Sequence, residues 1–179
     1  RQHFSLPAVG DLRNRLLALS HNQTREQKII ARLLSYRFCS NASQYALRDH
    51  LQSMADGRDP LVALLSHEHR QIFCQKITGI LRCLPIDFDL EGACIGNLLF
   101  IDTKHSGKNS LQSGIELFHQ MLDIRGVVRP IVEDNLHIAA YLQNGETIVG
   151  QHLLTAKETP ALSSAITKLY LCENVSNPS

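Results

Sequence analysis

Apolar positions recur at intervals of three and four through the first two-thirds of the chain and at intervals of two through the last third. Helices are therefore expected first and strands after them. Leu12, Leu16 and Leu19 share one face of a helix over 11–19, with Asp11 as its N-cap. Thr24 and Gln27 form a capping-box pattern ahead of Ile29, Ile30, Leu33 and Leu34. Residues 42–55 give a weaker amphipathic pattern. Asp59-Pro60 reads as a helix start, with an N-cap acceptor and a pre-set φ at the first helical position. From Leu61 the helical pattern continues through Phe73, Ile77 and Ile80 to Leu84, where Pro85 stops it. A helix of about 25 residues is twice the mean length, so a kink or break is expected near Gly79. Two more helices are expected, about 93–104 and 110–123, separated by Ser106-Gly107-Lys108-Asn109. Gly126 is placed for a left-handed cap on the second.

The period then changes to two. Val127 to Val132 reads as a strand, and two further strands flank Asn144-Gly145, a hairpin signal. A two-residue loop pairs Gln143 with Glu146, which sets Tyr141 opposite Ile148 and His137 opposite His152. A last strand covers Ile166 to Leu171. The pattern predicts one domain over 1–179, helical over about 10–124 and β-rich over about 127–171.

Composition narrows the function. With 179 residues, 44% of them hydrophobic and 20% charged, the chain has globular proportions. Eighteen basic and seventeen acidic side chains give a net charge of +1, which argues against nucleic-acid binding by bulk electrostatics. No apolar run approaches the roughly 18–20 residues that span a bilayer, so no membrane partner is expected. Five cysteines are widely spaced and form no Cys-x-x-Cys pair, as in a reduced, cytoplasmic protein. The chain opens at Arg1 rather than Met, with the apolar pattern under way by Phe4, and reads as a piece of something longer.

Two stretches carry candidate chemistry. Gly10-Asp11-Leu12-Arg13-Asn14 and Gly92-Ala93-Cys94-Ile95-Gly96-Asn97-Leu98 each put small or acidic residues and a side-chain amide at the start of an apolar helical stretch. Backbone N–H groups are free at such starts and can hold an anion. Arg13 can grip a phosphate or carboxylate in a bidentate way. Asp11 would repel a bare phosphate but suits a hydroxyl or a Mg²⁺ ion. Gly92 and Gly96 permit close backbone approach, and Asn97 offers both acceptor and donors.

Other patterns fall short. Asp87-Phe88-Asp89-Leu90-Glu91-Gly92 imitates the first half of a calcium loop, but the bidentate Glu of the twelfth position falls on Leu98. His67-Glu68-His69 has the wrong spacing for two ligands on one helical face and reads as a solvated surface. His137 opposite His152 lacks a third ligand, and Cys94 lacks an assignable base and reads as a small buried residue.

Four motifs in this order, Gly10-Asp11-Leu12-Arg13-Asn14, Gly96-Asn97-Leu98-Leu99, Arg125-Gly126-x-Val128-x-Pro130 and the hairpin at Asn144-Gly145, resemble the CofD/YvcK-like family. The match runs from about Leu6 to about Leu154. The family includes 2-phospho-L-lactate transferase of deazaflavin-coenzyme biosynthesis and the gluconeogenesis factor, a regulator that binds a UDP-sugar. The resemblance implies an α/β, Rossmann-like three-layer fold with a parallel sheet, this segment being mostly helical with a β-hairpin excursion. It implies a ligand cleft at or near Asp11, Arg13, Asn14, Gly96, Asn97 and Arg125. In the transferase version, a phosphorus-containing group passes from a nucleoside-diphosphate donor to an acceptor hydroxyl, with Mg²⁺ at Asp11 neutralising the diphosphate. Arg13 would hold phosphate, Asn97 would orient the ligand, and Gly96 would allow close approach. The alternative is a non-catalytic regulator that binds UDP-N-acetylglucosamine, and a homodimer is implied for either. A third possibility, independent of the resemblance, is an interaction module docking through the helices of 59–84.

This chain departs from the family at Ala93-Cys94, where a Ser usually supplies a hydroxyl donor. The family's opening glycine-rich phosphate loop would precede Arg1, and its later Gly-Pro-Gly-Ser-type motif would follow Ser179.

Overall fold

The computed structural model describes residues 9–101, 110–130, 136–154 and 162–172. They belong to two compact units, Arg1–Glu133 and Asp134–Ser179.

The first unit is helical. Its elements are α1 (Gly10–Ala18), α2 (Arg25–Ser35), α3 (Gln44–Ala55), a 3-10 turn (Val62–Leu64), α4 (His67–Cys83), α5 (Ile95–Leu98) and α6 (Ser110–Met121). The α2 start matches the sequence pattern. Thr24 Oγ1 accepts the Gln27 N–H at 3.1 Å and Gln27 Oε1 accepts the Thr24 N–H at 3.1 Å, a complete capping box. Helices α3 and α4 pack on each other and bury Leu51, Met54, Phe73, Ile77 and Ile80 completely. Ile30, Leu33 and Leu34 bring α2 into the same core.

Several expectations are corrected here. The helix expected over 59–84 is two elements. Asp59 caps only the 3-10 turn, its Oδ1 accepting the Leu61 N–H at 2.8 Å and the Val62 N–H at 3.2 Å. Leu65 then adopts an extended conformation (φ −74°, ψ 152°), and Ser66 starts α4 afresh as N-cap. The break therefore falls at Leu65, and Gly79 lies within a continuous α4. The helix expected over 93–104 shrinks to α5, followed by turns as far as Ile101, and residues 102–104 lie outside the described set. The turn at 106–109 lies outside it too. Gly126 has a positive φ of 125° but sits five residues past Met121, too far to cap α6. Residues 127–130 form no strand, and 131–132 are not described.

The second unit contains β1 (His137–Leu142), β2 (Thr147–Val149), α7 (Gln151–Leu154) and β3 (Ile166–Cys172). The strands form an antiparallel sheet in the order β2-β1-β3. The hairpin is present but its register is one residue off the expected one. Tyr141 pairs with Thr147 and Ala140 with Ile148, so the loop holds three residues, Gln143, Asn144 and Gly145. Gly145 takes the left-handed conformation (φ 86°) that a three-residue hairpin loop requires. A slip of one residue exchanges the faces of the sheet. Consequently Tyr141 does not face Ile148, and His137 pairs with Cys172, while residue 152 lies in α7. The parallel sheet implied by the family resemblance is not among the described residues.

Candidate functional site

Four of the six expected ligand residues come together. Arg13 lies in the first turns of α1, and its guanidinium crosses to α5. Arg13 Nη1 donates to Asn97 Oδ1 at 2.9 Å, and Nη2 donates to Asn14 Oδ1 at 2.8 Å. Gly96 is where the arginine stem passes. A Cβ built there would overlap the Leu34 carbonyl oxygen and stand 2.8 Å from Arg13 Cδ. The small residue thus makes room for the chain's own atoms. A short ladder holds α5 in place. Arg37 bridges to Cys94, the Phe38 N–H donates to the Ala93 carbonyl at 3.0 Å, and the Ile95 N–H donates to the Tyr36 carbonyl at 2.9 Å. That last bond occupies the first N–H of α5.

The electrostatics of this cluster are unusual. Arg13 is only 7% exposed, yet among the described residues its side-chain acceptors are two neutral amides and its Nε has no hydrogen-bond partner. Among the described residues no carboxylate lies within ion-pair reach of it, the ion pairs being His50–Asp59, Arg58–Asp56 and His69–Glu26. The N-terminal end of α1 adds positive potential. Burial of a charge is costly unless it is compensated, so the cluster favours an anion as its missing partner. Asn14 is exposed and can move aside, whereas Asn97 is half-buried and fixes Nη1.

Asp11 and Arg125 do not join the cluster. Asp11 is exposed in the first turn of α1, two residues from Arg13 and hence on a different side of the helix. It is not the N-cap. Val9 holds that position, without a side-chain cap bond. Arg125 lies past the other end of α1. Its N–H donates to the Leu19 carbonyl at 2.9 Å, and its Nη2 is 3.4 Å from His21 Nε2.

Two of the remaining sequence candidates, Asp89 and Cys94, have structural partners. Asp89 Oδ1 accepts from Gln44 Nε2 and, at 2.9 Å, from the Glu91 N–H. Cys94 is 2% exposed, its Sγ 3.5 Å from the Leu34 carbonyl oxygen, as expected for a small buried residue. Among the described residues no three His, Cys, Asp or Glu side chains form a metal-sized group.

Two networks escaped sequence reasoning. His69 belongs to one, which corrects its reading as part of a solvated surface. Glu26 Oε1 accepts the Ser66 N–H at 2.6 Å and faces His69 Nδ1 at 2.9 Å, tying the first turns of α2 and α4 together. The Ser66 N–H and then His69 hold the Glu26 carboxyl down at about 2. In the other, buried Asp59 holds His50 Nε2 at 2.9 Å, and His50 Nδ1 is 3.4 Å from the Tyr36 hydroxyl. Burial, and then the Asp59 charge, push the Tyr36 phenol up. The only sequence signal for the first was a Ser at 66 in a run already assigned to a helix interior. A separate groove of about 530 Å³ lies between α6 and residues 127–129, and none of the six expected ligand residues lines it.

Comparison with known proteins extends this picture. The family model described as 2-phospho-L-lactate transferase CofD matches residues 1–179. A Thermotoga maritima protein described as "Putative gluconeogenesis factor" is 22% identical over 158 residues, which is 88% of this chain and 33% of that protein. A Bacillus halodurans protein of the UPF0052 family, solved in two crystal structures, is similar in fold with TM-scores of 0.55 and 0.53. Its identity is 18% and 19%, over 96% of this chain and 37% of that one. The chain therefore spans about a third of the length of these relatives. Among the described residues no helix is long and apolar enough to cross a membrane.

Proposed function

The chain belongs to the CofD family, and from that premise we propose that it contributes to a site transferring a phosphorus-containing group from a nucleoside-diphosphate donor to an acceptor hydroxyl. The observation that carries this reading is Arg13, a cation 7% exposed whose partners among the described residues are amide oxygens. A phosphate oxygen arriving beside Asn14 supplies the negative charge that the guanidinium lacks. Asn97 keeps the guanidinium plane fixed while this happens, which makes Asn97 a positioning residue and not the ligand-orienting contact expected from sequence. In the transfer, the hydroxyl oxygen bonds to phosphorus, the bond from phosphorus to the bridging oxygen breaks and its electron pair leaves with the nucleoside monophosphate, and the hydroxyl proton passes to solvent. Fixed positive charge at the phosphate lowers the barrier by stabilising charge on the oxygens around phosphorus.

A Mg²⁺ ion belongs to this reading. Among the described residues Asp11 joins no group of three His, Cys, Asp or Glu side chains, so the ion it would help to hold is one bound largely by the donor's phosphates. When bound, the ion would neutralise diphosphate charge. The family's Rossmann-like parallel sheet belongs to the same reading. The second reading, a regulator that binds a UDP-sugar without turnover, is favoured by the name of the Thermotoga maritima relative and by Ala93-Cys94, where the usual hydroxyl is missing.

A thermal-shift panel tests both, with GDP, GTP or UDP-N-acetylglucosamine, each with and without Mg²⁺, on the wild type and on Arg13→Met. Ligand at about 100 times its Kd adds about 2.7 kcal/mol, or roughly 5–10 °C for a chain of this size. The transferase reading expects a Mg²⁺-dependent shift with a guanine nucleotide that Arg13→Met abolishes. A shift with the UDP-sugar alone supports the regulator. A shift that survives Arg13→Met removes Arg13 from the site, and no shift with any ligand means this stretch lacks a working site.

A further inference from the structure

From the contacts that run from α3 to α5 we infer that His50 is a positioning residue for the Arg13 site: its ring sets the stretch 36–38, which holds α5 and so aims Asn97 at the guanidinium. His50 matters to function only if Arg13 takes a phosphate, as proposed above, but the aim of the guanidinium is measurable with no ligand present.

The contacts are continuous from one end to the other. Asp59 is 5% exposed, and while its Oδ1 takes the Leu61 and Val62 N–H groups, its Oδ2 lies 2.9 Å from His50 Nε2. An ionised carboxylate only accepts, so Nε2 is the donor and the ring is held in one orientation. That orientation sets Nδ1 3.4 Å from the Tyr36 hydroxyl and brings the ring edge-on to Tyr36 and Phe38, with centroids 5.4 and 5.6 Å away. Residues two apart in an extended stretch share one face, and their backbone groups are left to pair sideways. Here they pair with the start of α5. The Tyr36 carbonyl accepts the Ile95 N–H at 2.9 Å, and the Phe38 N–H donates to the Ala93 carbonyl at 3.0 Å. α5 has no slack toward α2, because a Cβ on Gly96 would stand 2.3 Å from the Leu34 carbonyl oxygen. One residue further on, Asn97 Oδ1 accepts from Arg13 Nη1 at 2.9 Å. Close-packed interiors transmit displacement, so a shift of Tyr36 carries Ile95 and Asn97 with it and turns the guanidinium. A ring that merely filled space at position 50 would affect stability and leave Arg13 where it is.

Nitrogen NMR of the whole chain reads the far end of these contacts directly. In the wild type the Nη1 and Nη2 signals of Arg13 are expected to be separate, since each group is held by a different amide oxygen. His50→Gln keeps an amide N–H for Asp59 but removes the ring that meets Tyr36 and Phe38. It is expected to move the Ile95 amide signal and to merge the two Arg13 signals, as rotation of the guanidinium becomes at least tenfold faster. Glu26→Gln, at the opposite end of α2, is expected to lower Tm and leave both sets of signals in place. Wild-type Arg13 signals that are already merged overturn the inference. So does a folded His50→Gln with unchanged Arg13 signals, or a Glu26→Gln that moves them as far. Should His50→Gln not fold, Tyr36→Phe takes its place, losing the hydroxyl and keeping the ring. It is expected to move the Ile95 and Arg13 signals in the same direction by less, and no movement overturns the inference. No nucleotide enters these measurements, so a failed ligand panel counts against the phosphate reading and not against the role of His50.

Discussion

Arg13 and Gly96 depend on each other. The arginine stem lies where a Cβ of residue 96 would stand, so the position of the charge is set by a missing methyl group 83 residues away in sequence. Gly96→Ala must push either the Leu34 carbonyl or Arg13 aside, and such overpacking costs about 1–3 kcal/mol. The expected result is a fall in Tm of roughly 2–12 °C, and an unchanged Tm would show that the neighbours yield freely. Arg13→Met is expected to behave oppositely. It removes a buried charge that has no carboxylate partner among the described residues and keeps a stem of similar shape, so Tm should hold or rise while any phosphate-dependent thermal shift disappears. A fall of several degrees in Tm would mean that the bonds to Asn14 and Asn97 outweigh the burial of the charge.

At the scale of elements, the contact between α2 and α4 depends on pH through Glu26. The folded carboxyl titrates at about 2, below its ordinary 4.5, so the folded state binds its proton less readily than the unfolded chain does. Its contribution is complete above about 4.5 and is lost as pH falls toward 2. Glu26→Gln keeps an acceptor near the Ser66 N–H but removes the charge. After screening at a side chain 32% exposed, about 1 kcal/mol is expected, a Tm gap of roughly 2–4 °C at pH 7 that closes by about pH 2. A gap independent of pH would assign the effect to packing. The elements also show what sequence reveals and what it hides. The Thr24–Gln27 box was legible because both partners lie within one turn. The Asp59 cap was legible as a cap, but not as the cap of a turn that ends at Leu65, because the extended Leu65 depends on how the 3-10 turn and α4 pack on α2 and α3. The Asn144-Gly145 hairpin was legible as a hairpin, yet its loop took three residues and shifted every pair. Burial of Arg13 was not legible, since its acceptor Asn97 is 84 residues away, and family resemblance rather than periodicity placed both at one site.

Across the whole molecule, apolar burial is divided unequally. The first unit buries complete side chains from its longer helices, including Leu16, Leu33, Leu51, Phe73, Ile77 and Phe118 at 0% exposure. Among the described residues of the second unit the buried apolar set is Ala139, Ala140, Leu142 and Cys172, mostly small, while Ile166, Leu169 and Leu171 of β3 are exposed. Local opening free energy follows buried contact, so the sheet should open without the helical core. Hydrogen exchange is expected to show amides of α3 and α4 at least tenfold slower than those of β1 and β3, a difference of about 1.4 kcal/mol in opening. Equal protection in both would mean that the two units unfold as one.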